Sequence, residues 1–416
     1  MAASVTIVAY EHQMLRVGPE LGLRQVHLAA LARLQQRHEA AWFTPLRQGL
    51  KLGSYVGVVQ VPGLTLEILP KTDDPARPGT GPGATYWQSV LLQLLRATLG
   101  MPVAVPGAAA LAQARHPMLD LFVGALLTQA ELLLRQGLKK HYHRTEANRR
   151  VLRGQLLFAQ QLRHNLTHAE QFYTRAQTYD VAHPFNALIR QALAVASALP
   201  LPTALAARVR SLLLHWPEVS AVPVPAALPV LSPVVARYGP ALELALLLLR
   251  HHSPAPQGGT TAAVALLFDM NRLFETYVAQ QLRRAAVPLD CRVETQSSRP
   301  LWHDVPVRPD VVLRLPGGRT VVLDTKWKLP ATHRPAAADL QQLFAYCHLW
   351  RASHGLLLYP NPTTTGRLGA MRPYAPGHSA VDVHGHVVFA DILGKEGKLN
   401  KQFGTELLQA LLALPA

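Results

Sequence analysis

The sequence predicts a multidomain α/β protein whose C-terminal part is a sandwich of helices around a mixed sheet. Its 416 residues exceed the roughly 250 to 300 residues that a single core usually supports. Strand patterns dominate the start of the chain, helical patterns dominate its middle, and the last third alternates between the two. We therefore expect a β-containing module at 1–75, a mainly helical region at 76–255 and an α/β domain at 256–416.

The N-terminal module combines apolar strand segments with one helix. VTIVAY, SYVGVVQV and LTLEILPK are rich in β-branched residues, and Pro62-Gly63 between the last two predicts a hairpin. The segment QVHLAALARLQQRHE carries apolar residues at helical spacing. A stretch rich in Pro and Gly at 72–84 then marks a linker.

The middle region contains long segments rich in Leu and Ala. YWQSVLLQLLRATLG, MLDLFVGALLTQAELLLRQGL and HPFNALIRQALAVASAL predict helices that pack on one another. HHSPAPQGG at 251–259 marks the next boundary. No G-x-x-x-x-G-K-[ST] phosphate-binding loop occurs in the sequence, so we expect no nucleotide hydrolysis by this chain itself.

The composition indicates a globular protein that meets a polyanion. The chain is 49% hydrophobic and 16% charged, which excludes disorder, and its formal charge is +16. Most of the excess lies before residue 256, and the densest basic run is LKKHYHRTEANRRVLRG at 138–154. Such a run is either a solvated face or a contact for nucleic acid or an acidic partner.

Cysteine usage and hydropathy predict a cytoplasmic location. Cys291 and Cys347 provide neither a disulfide framework nor a metal cluster, which is typical of a reducing compartment. The N-terminal MAASVTIVAYEH lacks a basic signal region, and no apolar run reaches the length of a membrane span.

The last domain begins with a predicted helix, LLFDMNRLFETYVAQQLRRA, whose apolar residues recur at helical spacing. A short strand near 292–294, a hairpin at 308–328 and the helix ADLQQLFAYCHLWRA follow. GLLLYP then predicts a strand, VDVHGHVVFADI a second hairpin, and the end of the chain a final helix.

The hairpin RPDVVLRLPGGRTVVLDTKWK contains the candidate catalytic residues, two aspartates and a lysine. If its loop is Pro316 to Gly318, Asp310 faces Asp324 across the two strands, and Lys326 shares their face. A two-residue loop would shift the register by one and turn Asp310 to the other side.

Two carboxylates held close together repel each other unless a cation lies between them. An oxygen-rich pair of this kind suits Mg²⁺, and a neighbouring lysine can stabilise charge on a phosphate. The pattern therefore favours metal-dependent phosphodiester hydrolysis. The plainer interpretation is a surface hairpin with an ordinary Asp-Lys pair.

Pro309-Asp310 and Asp324-x-Lys326 across a hairpin resemble the PD-(D/E)xK nuclease core. More specifically, the chain resembles the McrC family, the nuclease subunit of modified-cytosine restriction systems. The matching segments are GVVQVPGLTLEILPK, LRGQL, YDVAHPFNALIRQAL, DMNRLFETYV, RPD with LDTKWK, and DLQQLFAYC, spread along nearly the whole chain.

The resemblance implies a role for each matching residue. Asp310 and Asp324 would bind Mg²⁺, or Mn²⁺ in its place, and Lys326 would be the catalytic lysine. Glu275 is similar to the additional acidic residue that many such nucleases place beside the metal. The alternative is that it is an ordinary glutamate at the edge of a helix. Gln342 resembles a glutamine that some related nucleases use near the site. The alternative is a solvent-facing or capping role. Trp327 is expected in the core.

The resemblance also implies partners, namely double-stranded DNA and a McrB-like AAA+ GTPase ring that selects modified DNA and is stimulated by this subunit. Arg24, Arg33 and Arg37 are candidates for the ring contact, although a solvated helix face is the better explanation for any one of them.

Two other functions remain open at this stage. One is a non-catalytic subunit that keeps the nuclease fold and binds DNA or a ring ATPase without cutting. The other is a stand-alone repair nuclease. The intact set of Asp310, Asp324 and Lys326 favours a catalytic subunit.

Overall fold

The computed structural model describes residues 5–38, 40–70, 83–100, 117–253, 263–328, 330, 334–361, 372–373, 383–393 and 398–414. Contacts divide the chain into two compact units. The first comprises Met1–Leu119 and Ala265–Ala416, and the second comprises Asp120–Val264. The division into three consecutive domains stays a prediction, and residues from its first and last domains fall in the same unit.

The described helices are α1 (Gln25–Arg37), α2 (Ala84–Leu99), α3 (Pro117–Gln136), α4 (Phe158–Asn165), α5 (Pro184–Ser197), α6 (Thr203–His215), α7 (Gly239–Arg250), α8 (Met270–Ala286), α9 (Ala337–Trp350) and α10 (Phe403–Leu412). Short 3-10 helices occur at Pro233–Tyr238, Val287–Leu289 and Pro316–Gly318. Within the described ranges, no helix is both long and apolar enough to cross a membrane.

The described strands are β1 (Val5–Tyr10), β2 (Met14–Arg16), β3 (Phe43–Leu46), β4 (Gly49–Leu52), β5 (Tyr55–Val61), β6 (Leu64–Leu69), β7 (His141–Arg149), β8 (Gln155–Leu156), β9 (Phe172–Asp180), β10 (His252–Ser253), β11 (Ala263–Asp269), β12 (Arg292–Thr295), β13 (Arg299–Trp302), β14 (Val305–Val307), β15 (Val311–Arg314), β16 (Thr320–Thr325), β17 (His354–Pro360), β18 (Arg372–Pro373) and β19 (His384–Ala390).

The first unit contains a sheet in which β1, β6, β5 and β11 lie side by side. The β5–β6 hairpin turns at Pro62-Gly63 as predicted, and β1 pairs with β6 in parallel. β5 and β6 are buried along nearly their whole length, which explains their almost continuous apolar sequence. A smaller sheet, ordered β2-β4-β3, belongs to the same unit.

The first unit also contains a mixed sheet of six strands in the order β12-β15-β16-β17-β19-β18. β12, β15 and β16 pair antiparallel, whereas β16, β17 and β19 are parallel. Helix α9 packs on β16 and β17, and helix α8 packs on β12 and β16. The predicted α/β class with a mixed sheet is therefore confirmed.

The second unit is mainly helical, as predicted, but it also contains a three-stranded sheet in the order β7-β9-β8. The sequence analysis did not predict this sheet, because the basic run at 138–154 lacks the apolar alternation of a typical strand. β7 alternates between half-buried and exposed residues. Its long partner β9 supplies the backbone hydrogen bonds that the pattern alone does not reveal.

Two predictions for the last domain are wrong. Leu266 to Asp269 form the end of β11 rather than a helix, because the Asp269 side chain accepts the Asn271 N–H at 2.9 Å and caps α8 there. The hairpin expected in VDVHGHVVFADI is a single strand over its described part. Gly385 pairs with Gly355 of β17 instead of forming a turn, because the parallel pairing continues through it.

Candidate active site

The β15–β16 hairpin has the register that a three-residue loop requires. Leu313 pairs with Val321, and the Leu315 N–H donates to the Arg319 carbonyl at 2.9 Å. Gly317 and Gly318 have φ values of 78° and 80°, a conformation that suits glycine. The predicted loop is therefore confirmed. Counted one residue beyond the last pair, Val311 with Leu323, the same register sets Asp310 opposite Asp324.

The face that carries the two carboxylates is not open, because α9 covers it. Val312 and Val322, which share that face by strand alternation, belong to a buried apolar cluster with Leu343 and Trp350 of α9. Both faces of the hairpin are therefore buried. The alternation by itself suggested that the two aspartates lie on a polar surface. They lie instead at the edge of a core.

Asp310 is held by the end of the opposite strand. Its Oδ2 accepts both the backbone N–H and the hydroxyl of Thr325, each at 2.6 Å. Asp324 is only 3% exposed. Burial, and then the charge of Asp310, raise the pKa of Asp324 to about 6. The two carboxylates therefore repel each other through a poorly solvated environment.

Lys326 lies between the aspartates and α9. Its Nζ is 2.8 Å from Asp324 Oδ2 and donates to Gln342 Oε1 at 3.0 Å. Burial acts to lower the pKa of Lys326, but the charge and hydrogen bond of Asp324, together with the charges of Asp339 and Asp310, outweigh it, so the pKa is raised. The ammonium thus stays protonated at neutral pH and is suited to stabilise negative charge rather than to accept a proton.

Gln342 is oriented from its other side by Tyr346, whose hydroxyl oxygen accepts the Gln342 Nε2–H at 2.6 Å. The structure thus brings the exposed Gln342 to Lys326, and its role at the site stays a prediction.

Asp339 is a site residue that the sequence analysis missed. Its Oδ2 is 2.7 Å from Lys328 Nζ and accepts the Tyr359 hydroxyl at 3.2 Å, while its Oδ1 is 3.9 Å from Lys326 Nζ. Asp339, Gln342 and Tyr346 follow helical spacing on one face of α9. That spacing was the signal available in the sequence.

Glu275 lies on α8 and interacts electrostatically with the aspartates. Burial, and then the charge of Asp310, raise its pKa, and its Oε1 accepts the Gln296 Nε2–H at 3.2 Å. Nevertheless, the described residues contain no group of three or more His, Cys, Asp or Glu side chains placed to hold a metal ion. The role of Glu275 as a third metal ligand stays a prediction.

Asp310 and Asp324 are the residues that could hold Mg²⁺. Mg²⁺ commonly binds through one or two carboxylates and retains several water molecules, so a third protein carboxylate is not required. Burial, and then the charge of Asp310, raise the pKa of Asp324, and a bound cation would favour the ionised form of both carboxylates. This donor set fits the predicted ion.

Trp327 is a core residue, as predicted. It is 4% exposed and contacts Phe274 edge to face at a centroid distance of 5.3 Å. Its Nε1–H donates to Glu11 Oε1 at 2.7 Å, which ties the end of β16 to the segment after β1. The sequence contained no signal for this bond, because its partners are 316 positions apart.

The basic residues proposed as contacts remain candidates. Arg24, Arg33 and Arg37 are exposed along α1. In the run at 138–154, Arg149 donates to Thr174 Oγ1 at 2.8 Å, so part of this charge stabilises the β7–β9 pairing.

Fold and site together define an α/β protein whose mixed sheet carries an Asp-Asp-Lys cluster beneath a helix, with Asp324 buried and Asp310 and Lys326 half-buried. The family model described as "McrBC 5-methylcytosine restriction system component" matches residues 50–360. The chain belongs to that family. No curated protein matches it.

Two solved structures, both from Thermococcus gammatolerans, are similar to the chain. One is a refined half-complex from a tetradecameric assembly of McrB AAA+ hexamers with bound McrC. It has a TM-score of 0.69 at 17% identity and covers 98% of this chain and 100% of that one. The other is a McrBC complex, with a TM-score of 0.49 at 18% identity, covering 68% and 88%. The first shows that the two chains share a fold.

Proposed function

We propose that this chain is the nuclease subunit of its McrBC system, a McrC-type DNA endonuclease that depends on Mg²⁺. One observation carries the proposal: the hairpin register faces Asp310 with Asp324 and leaves Lys326 against Asp324 at 2.8 Å. A surface hairpin with an ordinary ion pair explains this geometry poorly, because Asp324 is buried and the loop places the second carboxylate opposite it.

Each residue has a distinct part in the proposed reaction. Asp310 and Asp324 would hold the metal, and Thr325 fixes the orientation of Asp310. Bound Mg²⁺ supplies Lewis acidity toward a phosphate oxygen and toward an attacking water. Lys326, kept protonated by Asp324 and positioned by Gln342, stabilises the negative charge that develops on the phosphate.

The proposed partner is a McrB-like AAA+ GTPase. The structurally similar chain comes from an assembly of AAA+ hexamers with bound McrC. The present sequence has no phosphate-binding loop of its own, so nucleotide hydrolysis would have to come from another subunit. The formal charge of +16 supports double-stranded DNA as the substrate.

A second candidate is a non-catalytic subunit of the same system. One observation favours it: within the ranges that the structure describes, the acidic residues form no three-ligand metal group. Such a subunit would stimulate its GTPase partner and bind DNA while leaving the strands intact.

The decisive experiment measures plasmid cleavage by the chain with its cognate AAA+ partner, GTP and Mg²⁺. Asp324→Ala should abolish cleavage but still stimulate GTP hydrolysis. Asp304→Ala is the matched control, because Asp304 is an exposed aspartate between β13 and β14. If Asp324→Ala cuts like the wild type, the site assignment fails. If neither the wild type nor Asp324→Ala cuts DNA but both stimulate GTP hydrolysis, the non-catalytic subunit is favoured. If the wild type cuts DNA without the partner, a stand-alone nuclease is favoured.

A further inference from the structure

A large cavity lies in the first unit, apart from the aspartate hairpin. It has a volume of about 1240 Å³ and is formed by α2, by α8 and by the segment from Lys398 to Thr405. Small-molecule sites usually enclose roughly 300 to 1,000 Å³, so this cavity can accept a ligand of nucleotide size or slightly larger.

The cavity is positively charged on every wall. Arg96 comes from α2, Arg284 from α8, and Lys398 and Lys401 from the third wall. Among the described residues that line the cavity, none is Asp or Glu. Within the part of the chain that the structure describes, Arg96, Arg284 and Lys401 form no ion pair. Cations that line the same cavity repel one another, and an anion bound among them would relieve the repulsion.

The walls are already held in place. Gln280 of α8 donates to the Thr98 carbonyl of α2 at 3.0 Å. Gln93 Oε1 of α2 accepts the Leu399 N–H at 3.1 Å, and the Tyr277 hydroxyl of α8 donates to the Asn400 carbonyl at 3.3 Å. The cations therefore project from a preformed cavity, which lowers the ordering cost of binding.

The remaining lining residues suit a ligand that is only partly charged. Ala97, Ala285 and Leu399 provide apolar surface, and Ser89 and Thr405 provide hydroxyl groups. The Tyr86 ring also borders the cavity, and burial raises the pKa of its hydroxyl, which therefore remains a neutral donor.

We propose that this cavity binds a nucleoside phosphate, with the phosphates among Arg96, Arg284 and Lys401 and the nucleoside against the apolar wall. The same chemistry is offered by a free nucleotide and by the end of a nucleic acid strand. The proposal is independent of DNA cleavage, because the cavity shares no residue with the Asp310–Asp324 hairpin.

The experiment titrates the full chain with two fluorescent probes and follows their anisotropy. One probe is guanosine triphosphate, and the other is a short single-stranded oligonucleotide with a 5′-phosphate. Arg96→Gln, Arg284→Gln and Lys401→Gln should each weaken binding of the bound probe by roughly tenfold, the typical effect of removing a charged hydrogen-bond donor. Arg283→Gln is the matched control, because Arg283 is the next residue on α8, does not line the cavity, and donates to Thr295 Oγ1.

Each outcome decides the proposal. Binding of either probe that the three cavity variants weaken and Arg283→Gln does not weaken supports it, and the probe that binds identifies the source of the phosphate. Absence of binding by both probes overturns it, as does binding that the cavity variants leave unchanged. Competition by pyrophosphate as strong as by the nucleotide would overturn the nucleoside part. Asp324→Ala should bind like the wild type, so a failure of the nuclease assignment leaves this result intact.

Discussion

The carboxylates of the β15–β16 hairpin and the cations of the α8 cavity are two clusters of like charge in one compact unit. Helix α8 serves both, because Glu275 interacts with the aspartates and Arg284 lines the cavity. These two residues are separated by about 13 Å along the helix axis. The clusters differ in burial: α9 covers the first, whereas the second opens to solvent that screens its repulsion.

Burial explains why the hairpin cluster contains a counter-ion of its own. Asp324 is 3% exposed, so its charge requires a partner within the fold, and Lys326 supplies it. Arg96, Arg284 and Lys401 of the cavity are exposed, so water can solvate their charges. Burial should therefore make the hairpin cluster the more sensitive to substitution.

The largest expected effect is on cleavage. Lys326→Met should slow plasmid cutting in the presence of the partner by roughly 10² to 10³-fold, since it removes a preorganised positive charge. Single-turnover cleavage rates measure the effect. Lys328→Met is the control, because Lys328 pairs with Asp339 at 2.7 Å and should retain most of the activity. Equal rates for Lys326→Met and the wild type would remove Lys326 from the proposed chemistry.

The next effect is on stability and depends on pH. The folded-state pKa of Asp324 is about 6, above its ordinary value of 3.8. The folded protein therefore holds this proton longer than the unfolded chain, and this contribution to stability is lost as the pH rises from about 4 through 6.

The Asp324→Asn variant has no ionisable side chain at this position. Without metal, its unfolding free energy should therefore exceed that of the wild type by roughly 3 kcal/mol above pH 7, and the two should be nearly equal below pH 4. Urea denaturation across this pH range tests the prediction. Arg284→Gln, in the open cavity, should change the unfolding free energy by only a few tenths of a kcal/mol. A gap between Asp324→Asn and the wild type that narrows as the pH rises would contradict the sign of the shift.

A smaller effect concerns the helix that covers the hairpin cluster. An Ala at Gly355 of β17 would place its Cβ 2.5 Å from Cys347 Sγ and 2.9 Å from Leu343 Cγ of α9. Gly355→Ala should therefore lower the unfolding free energy by roughly 1 to 3 kcal/mol. Gly18→Ala is the control, because nothing lies within 4 Å of its Cβ position. Equal stability of both variants would mean that α9 packs less tightly on β17 than described.

The smallest effect concerns the anchor at the end of β16. Trp327→Phe keeps an aromatic side chain, although a smaller one, and removes the donor to Glu11 Oε1; the lost hydrogen bond should cost roughly 1 to 2 kcal/mol. Trp302→Phe is the matched control, because Trp302 is 73% exposed. Thermal unfolding of the two variants measures the difference, which should vanish if the Trp327–Glu11 bond contributes nothing.

Local pattern was sufficient for much of the hairpin cluster. The Pro-Gly-Gly loop determined the register, and register with alternation determined that Asp310 and Asp324 face each other. The helical spacing of the apolar residues likewise predicted α8 and α9. These features depend on neighbours within a few residues, which a sequence displays directly.

Other features depended on chain segments that meet only after folding. Pairing with β17 turned the expected hairpin at Gly385 into a strand, and pairing with β9 made the polar segment of β7 a strand. The bond from Trp327 to Glu11 and the convergence of Arg96, Arg284 and Lys401 on one cavity are also long-range.

The sequence by itself therefore determined which residues of the hairpin share a face, because strand register is a local property of loop length. Only the tertiary structure decided that this face is buried beneath α9, that Lys326 is positioned by Gln342, and that a separate cationic cavity forms beside α8. Burial and charge proximity arise from packing between distant segments, and no local pattern encodes them.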